Sequence, residues 1–165
     1  MIRPATPADV PAILALIREL AEYEKLTHAC IATEELLTQH LFGDDRAAEA
    51  IVAEIAAPQR VVGYAIFFKI FSTFLARPGL YLEDLYVQPQ HRGNGYGKAM
   101  LQYLAQLTVA NNYGRLEWTC LDWNTPALNF YRSIGADALK EWHLHRLTGD
   151  ALKKFGAQAA CKHAG

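Results

Sequence analysis

Apolar positions in this chain switch between a spacing of three or four and short runs of period two, and each switch predicts a new element. Met1 to Pro4 reads as a short opening strand. Behind Thr6-Pro7-Ala8-Asp9, the residues Ile13, Leu16, Ile17, Leu20 and Tyr23 mark one face of a helix that runs to about Glu24. Thr6 suits the cap, Pro7 the first helical position and Asp9 the positive end. A second helix starts at Thr33-Glu34-Glu35, carries Leu36, Leu37, His40 and Leu41, and ends at Gly43-Asp44-Asp45. Ala50 to Ile55 and Val61 to Ser72 are β-rich runs separated by Ala57-Pro58-Gln59-Arg60, the pattern of an antiparallel hairpin. The second run is long and apolar, as in a central strand, and Gly63 suggests a bulge within it. After the turn Arg77-Pro78-Gly79, Tyr81 to Val87 is a buried strand that Gln88-Pro89-Gln90 ends. Met100, Leu101, Leu104, Leu107 and Thr108 return to helical spacing from Tyr96, and Asn111-Asn112-Tyr113-Gly114 stops that helix. Leu116 to Leu121 reads as a strand. The helix ALNFYRSI follows, capped by Asn124 or Thr125 and closed by Gly135. Trp142 to Leu147 reads as a last strand and Leu152 to Phe155 as one helical turn, with a frayed tail from Gly156 to Gly165. The order β–α–α–β–β–β–α–β–α–β predicts an α+β fold with a mixed central sheet.

Composition narrows the function classes. The 165 residues are 52% hydrophobic and 20% charged, as in a folded chain of one domain, and the formal net charge is −1. No basic run suggests a nucleic-acid surface, and no apolar stretch has membrane-spanning length. The N-terminus lacks a signal-peptide layout. Three cysteines, Cys30, Cys120 and Cys161, are far apart, which fits reduced thiols in a cytoplasm.

The densest candidate chemistry lies between the Tyr81 strand and the Tyr96 helix. Arg92-Gly93-Asn94-Gly95-Tyr96-Gly97-Lys98 places three alternate glycines at a helix start, flanked by two cations. Glycines permit positive φ and close approach to backbone amides, and the helix end adds unpaired N–H groups and partial positive charge. A diphosphate suits such a cradle. A Walker A loop is excluded because Ala99 follows Gly97-Lys98, and the dinucleotide fingerprint is excluded because Gly93-x-Gly95-x-Gly97 has the wrong spacing. What remains is an Arg-x-x-Gly-x-Gly-type turn, or a plain glycine-rich connection.

The element order, the Arg92 to Gly97 turn and the Asn124 to Tyr131 segment together resemble the GNAT N-acetyltransferase superfamily over about Ile2 to Leu147. IRPATPADVPAILALIRELAEYE, YLEDLYV, RGNGYGK and WNTPALNFYRSIGA are similar to the spermidine/spermine (diamine) and thialysine acetyltransferase branch. The resemblance implies an α+β (α/β sandwich) fold with a mixed, mostly antiparallel sheet, in one domain over residues 1–155 with residues 156–165 as a flexible tail. It implies acetyl-CoA as the acetyl donor, no metal, and a small-molecule amine as acceptor. Leu85, Tyr86 and Val87 would offer backbone groups to the pantetheine arm. Arg92 and the amides of Gly93, Asn94, Gly95, Tyr96, Gly97 and Lys98 would hold the pyrophosphate. Asn124, Thr125, Pro126 and Ala127 would contact the far side of the cofactor, with Tyr131 by the sulfur. Tyr23, Glu24, Glu83 and the strand Glu117, Trp118, Thr119 would line the amine pocket. The chain departs from the family at Glu22, where a basic residue is usual, and over Phe71 to Arg77. A cytoplasmic homodimer is expected, with Trp142 to Leu147 able to pair across chains.

Acetyl transfer to an amine needs a neutral nucleophile, although a free alkylamine has a pKa of roughly 10. Glu83 is the first candidate base, with Asp84 second. Adjacent strand residues face opposite ways, so one of the two is expected at a solvent edge. Tyr131 is the candidate proton donor to the leaving thiolate, and backbone N–H groups after Glu83 suit the developing oxyanion. His143-x-His145 presents two imidazoles on one strand face but has no third ligand nearby in sequence, and a sheet position is the simpler reading. Two other functions stay open: a protein or peptide N-acetyltransferase, and a non-catalytic acyl-CoA-binding regulatory module.

Overall fold

The computed structural model describes residues 1–56 and 59–158. The chain divides into two compact units, Met1–Thr119 and a second beginning at Cys120. The first unit carries β1 (Ile2–Pro4), α1 (Val10–Tyr23), α2 (Glu34–Phe42), β2 (Glu49–Ala56), β3 (Gln59–Ser72), β4 (Arg77–Val87), α3 (Tyr96–Ala110) and β5 (Leu116–Trp118). The five strands form one sheet in the order β1-β2-β3-β4-β5. The first four pair antiparallel, and β5 pairs parallel to β4 after the crossover through α3. This is the mixed α+β sheet expected.

Helices cover both faces, which explains why the strands read as apolar runs without clean alternation. Ile13, Leu16 and Leu41 of α1 and α2 pack with Ala50, Val52, Tyr64, Ile66 and Tyr86. Ile51, Ala53, Ala65, Phe67 and Leu82 alternate with these and are buried too, while α3 buries Met100, Leu101 and Leu104. The expected bulge in β3 is real and adjoins Gly63. Ala53 pairs with Gly63 and Glu54 with Val61, so Val62 is the extra residue. The connecting residues Ala57 and Pro58 lie outside the described residues.

Helix ends follow their local chemistry. Thr33 caps α2 by accepting a hydrogen bond from the Leu36 amide at 3.3 Å. α1 ends with Lys25 at φ 60°, where Lys25 N donates to Glu22 O at 3.0 Å and Leu26 N to Ala21 O at 2.8 Å. This pairing satisfies two carbonyls of the last turn.

In the second unit, α4 (Thr125–Ser133) has Asn124 at its cap and Pro126 in its first turn. Gly135 at φ 82° ends it, with Gly135 N on Arg132 O and Ala136 N on Tyr131 O, both at 3.1 Å. Three expectations are corrected here. Trp142 to Leu147 is not a strand: Trp142 and Leu144 are 74% and 72% exposed, and no described strand pairs with them. Alternation alone does not make a strand without a ladder partner. His143 and His145 are likewise exposed and irregular. The short turn after them is a full helix, α5 (Gly149–Ala157), so residues 156 and 157 are helical, and the rest of the expected tail from residue 159, Cys161 included, lies outside the described residues. β5 also ends three residues early, at Trp118.

A buried ion-pair cluster ties β1 to β2 and to the start of α1. Arg3 donates to Asp9 Oδ2 and Oδ1 at 2.8 and 2.9 Å and to Glu54 at 3.2 Å through both Nε and Nη2. Thr6 N and Oγ1 donate to the same Asp9 oxygen at 2.7 and 2.9 Å. These hydrogen bonds, Arg3 first, hold the Asp9 carboxyl at a pKa of about 2. A depressed folded-state pKa stabilises the protein above the unfolded value near 4, and the benefit is lost as pH falls toward 2. Asp9→Asn is therefore expected to lower unfolding free energy by about 2–3 kcal/mol at pH 7. The gap to the parent protein should narrow as urea titrations move from pH 5 to pH 2.

Candidate functional site

β4 builds the site by losing a neighbour halfway along. It pairs with β5 only from Leu80 to Leu82, opposite Leu116 to Trp118. Its pairing with β3 continues to Gly63↔Val87. Beyond Leu82, no described strand occupies the β5 side. The bond from Gln88 N to Val62 O at 3.0 Å sets the phase of the antiparallel ladder. Tyr86 therefore exchanges hydrogen bonds with Tyr64, while Leu85 and Val87 direct their N–H and C=O groups toward the open side. Of the three residues expected to offer backbone groups to a cofactor, Leu85 and Val87 turn theirs away from β3, and those of Tyr86 pair with it.

The parting coincides with a bulge. Ile66 pairs with Asp84 and Phe67 with Leu82, so Glu83 has no opposite residue in β3. Glu83 is exposed, whereas Asp84 shares the α1/α2 face with Ile66 and Tyr64. The extra residue replaces the simple alternation anticipated for this acidic pair.

At the end of β4, Gly93 and Gly95 adopt φ 79° and 81°. A Cβ on either would meet nothing within 4 Å, so glycine is needed there for backbone conformation alone. Gly95 caps α3 without any side-chain hydrogen bond, and Ala99 N is bonded back to Gly95 O at 2.9 Å. The amides of Tyr96, Gly97 and Lys98 have no intrahelical acceptor and can receive an anion. Asn94 Nδ2 braces the turn by donating to His91 O at 3.1 Å. The Arg92 guanidinium lies over the rings of Tyr23 and Tyr86, 5.1 and 5.4 Å from their centroids, and its Nε donates to Val87 O at 2.9 Å. Two aromatic faces and a carbonyl thus aim this cation beside the glycine turn.

Glu19 belongs to this arrangement and carries no motif that announces it. It accepts from Tyr86 O–H at 3.1 Å and from Gln88 Nε2 at 2.7 Å. Burial, then the Glu19 carboxylate, raises the Tyr86 pKa. The available signal was spacing: Glu19 and Tyr23 are four apart on α1 and both reach the end of β4.

On the other side of β4, a cavity of about 500 Å³ opens between α1, the segment leading to α2, α2 itself and the sheet. Glu24 and Asp84 are its acids. Tyr64 O–H donates to Asp84 Oδ2 at 3.3 Å. Burial, with the neighbouring Glu83 and Glu24 charges, lifts the Asp84 pKa to about 6 against the Tyr64 hydrogen bond. Burial raises Glu24 as well. The other residues expected in an amine pocket are not among those that line this cavity. Tyr23 stacks on Arg92, and Glu83 stands at the bulge. Glu117 pairs with Arg115 at 2.9 Å, Thr119 shares a 3.4 Å hydrogen bond with Tyr81, and Trp118 ends β5. β5 lies beyond β4 at the sheet edge, and the cavity lies under α1 and α2.

In the second unit, Asn124 and Ala127 are half-buried at the start of α4, and Thr125 and Pro126 are exposed. Tyr131 is half-buried two turns on, and burial, with a smaller contribution from Cys120, pushes its phenol up to about 12. Trp123 is 50% exposed. Among the described residues, no group of three or more His, Cys, Asp or Glu side chains is placed to hold a metal ion.

The acetyltransferase (GNAT) family profile matches residues 14–136. Thialysine N-epsilon-acetyltransferase of Bos taurus is 38% identical over 167 residues, covering 96% of this chain and 98% of that protein. L-ornithine N5-acetyltransferase of Arabidopsis thaliana is 35% identical, over 92% and 86% of the two chains. Among solved structures, an integron cassette protein from the mobile metagenome of V. cholerae superposes with a TM-score of 0.78 at 27% identity, covering 94% and 96%.

The raised Asp84 pKa has a cost in stability. An acid whose folded pKa exceeds its unfolded value disfavours folding once ionised, and that penalty grows as pH rises from about 4 to about 6. Asp84→Asn is expected to raise unfolding free energy by about 2 kcal/mol at pH 7.5 and to change it little at pH 4. Denaturant titrations at the two pH values check this.

Proposed function

Because the chain belongs to the GNAT acetyltransferase family and is an N-acetyltransferase, we propose that it transfers acetyl from acetyl-CoA to a small cationic primary amine. The acceptor class is a polyamine, a diamine or a thialysine- or lysine-like compound, attacking directly in a ternary complex. One observation carries the reading. The open edge of β4 leads into the Arg92 to Lys98 turn, while Asp84 of the same strand lines a separate acidic cavity. Donor and acceptor would thus meet at one strand.

The residues present fit acetyl-CoA, which supplies the activated acetyl group as a thioester. Leu85 and Val87 would take the pantetheine arm as a neighbouring strand takes a ladder partner. Arg92 and the amides from Gly93 to Lys98 would hold the diphosphate. By likeness to the family, Asn124 to Ala127 line the far side of the cofactor.

The acceptor ammonium is drawn to Glu24 and Asp84 and must lose a proton before its nitrogen can attack. Asp84, with a pKa of about 6, is ionised at neutral pH yet basic enough to share that proton through water, and exposed Glu83 can pass it to solvent. The new bond joins nitrogen to the acetyl carbon, and the carbon–sulfur bond breaks. By likeness to the family, Tyr131 gives its phenolic proton to the departing sulfur, and the second proton that the nitrogen sheds as the amide forms restores the phenol through solvent. A phenol raised to about 12 keeps that proton at neutral pH, as a donor must.

The reading includes a cytoplasmic homodimer. Cys30 and Cys120 carry reduced thiols, and the exposed Trp142 and Leu144 are apolar surface that a second copy can cover.

Thiol release from acetyl-CoA with a panel of amines near pH 8 tests the reaction; binding of acetyl-CoA without release by any amine would leave a binding module. Tyr131→Phe should lower kcat by about 10²-fold or more while the acetyl-CoA Kd stays within about twofold. Equal kcat would remove Tyr131 from proton transfer. Light scattering at micromolar concentration should give a mass near twice the 18.4 kDa of one chain.

A further inference from the structure

Both donors that Glu19 holds belong to the stretch leading into the glycine turn. Oε2 accepts from Tyr86 O–H at 3.1 Å and Oε1 from Gln88 Nε2 at 2.7 Å. One half-buried carboxylate of α1 thus spans the end of β4 and the first residue beyond it. Gln88 Oε1 is buried without a hydrogen-bond partner, so the Glu19 bond is what fixes that side chain. Tyr86 is buried, and its ring is one of the two faces under Arg92, 5.4 Å from the guanidinium. The other face, Tyr23, stands about one helical turn after Glu19 on α1. Burial and the Glu19 carboxylate raise the Tyr86 pKa and Arg92 opposes them, so acid, phenol and cation act on one another. Arg92 itself is exposed, and an exposed arginine gives up rotamer freedom when it must face one way. Its Nε is bonded to Val87 O at 2.9 Å, and the two rings then decide where the rest of the guanidinium points.

On the premise that acetyl-CoA is the donor, we propose that Glu19 is a positioning residue for it: by holding Tyr86 and Gln88, Glu19 keeps Arg92 aimed at the donor's diphosphate. An arginine aimed in advance loses less freedom on binding, so the contribution of Glu19 appears as donor affinity. That contribution is confined to donors with a diphosphate, because the pantetheine arm is taken by backbone groups of Leu85 and Val87, which Glu19 does not hold.

Calorimetry with acetyl-CoA on the whole protein tests this route. Glu19→Ala should weaken the Kd by about tenfold, and Arg92→Ala by at least as much. The double variant should match Arg92→Ala within about twofold, since Glu19 then has nothing left to aim. Tyr86→Phe keeps the ring in the core, removes the O–H and should reproduce the Glu19→Ala loss; it carries the test if Glu19→Ala fails to fold. Glu19→Gln still offers Tyr86 an acceptor and should stay within about threefold of the parent protein. Thiol release with the most active amine adds a readout that general loosening of the fold would not give. In Glu19→Ala, kcat/KM should fall about tenfold with acetyl-CoA and less than about twofold with S-acetylpantetheine, which has the same thioester and no diphosphate. Four results would each overturn the proposal and leave acetyl transfer standing: additive losses in the double variant, a parent-like Kd in Glu19→Ala or Tyr86→Phe, a Glu19→Gln variant as weak as Glu19→Ala, or equal falls with the two donors. A parent protein that binds no acetyl-CoA would overturn the choice of donor, and this proposal with it.

Discussion

Backbone groups inside a folded protein must find hydrogen-bond partners, and β4 has lost its neighbour along half its length. Its first half is held on both sides, by β3 and by β5. After Leu82 no described strand pairs on the β5 side, so the N–H and C=O of Leu85 and the N–H of Val87 point away from the ladder. An extended guest can satisfy them in register, as a ladder partner would. The bulge at Glu83 marks the same point, and the helix start beyond Gln88 adds further unsatisfied amides. A ladder left incomplete and a helix end left uncapped thus lie in succession along one line of chain.

α1 serves both faces of this arrangement. Near its end, Glu19 holds Tyr86 and Gln88, and Tyr23 lies under Arg92. One residue later, Glu24 turns into the acidic cavity with Leu20 and Ala21. The reversal at Lys25 fixes where that helix stops. A shift of α1 would disturb the cation beside the glycine turn and the acids of the cavity together. The buried Arg3 cluster anchors the opposite end of the same helix through Asp9.

Much of this was legible in the chain. Thr6-Pro7-Ala8-Asp9 and Thr33-Glu34-Glu35 mark helix starts because capping is local chemistry. Two of the three alternate glycines, Gly93 and Gly95, mark the turn because positive φ is a local demand. What escaped depends on partners distant in sequence. Trp142 to Leu147 alternates like a strand, yet alternation cannot report whether a ladder partner exists. Glu83 and Asp84 look equivalent until the register with β3 makes one of them the extra residue. Glu19 resembles any solvated helix glutamate, and its role appears only when Tyr86 and Gln88 arrive from the sheet. Glu117 and Thr119 are expected at an amine pocket from the family pattern alone, and their contacts with Arg115 and Tyr81 depend on the β4–β5 register, which the chain does not spell out.

The placement of the aromatic indoles has a practical bearing on spectroscopy. The three tryptophans are Trp118, Trp123 and Trp142. Two of them fall in the second unit and are at least half exposed, and Trp118 stands at the very end of the first. None lies in α1, α2 or the strands that close the cavity. Two of the three indoles therefore report the second unit, and Trp118, opposite Leu82 across the β4–β5 ladder, is the one that follows the sheet. A melting curve read by intrinsic emission mixes the two units, and a label placed on α2 follows the core around Tyr64 directly.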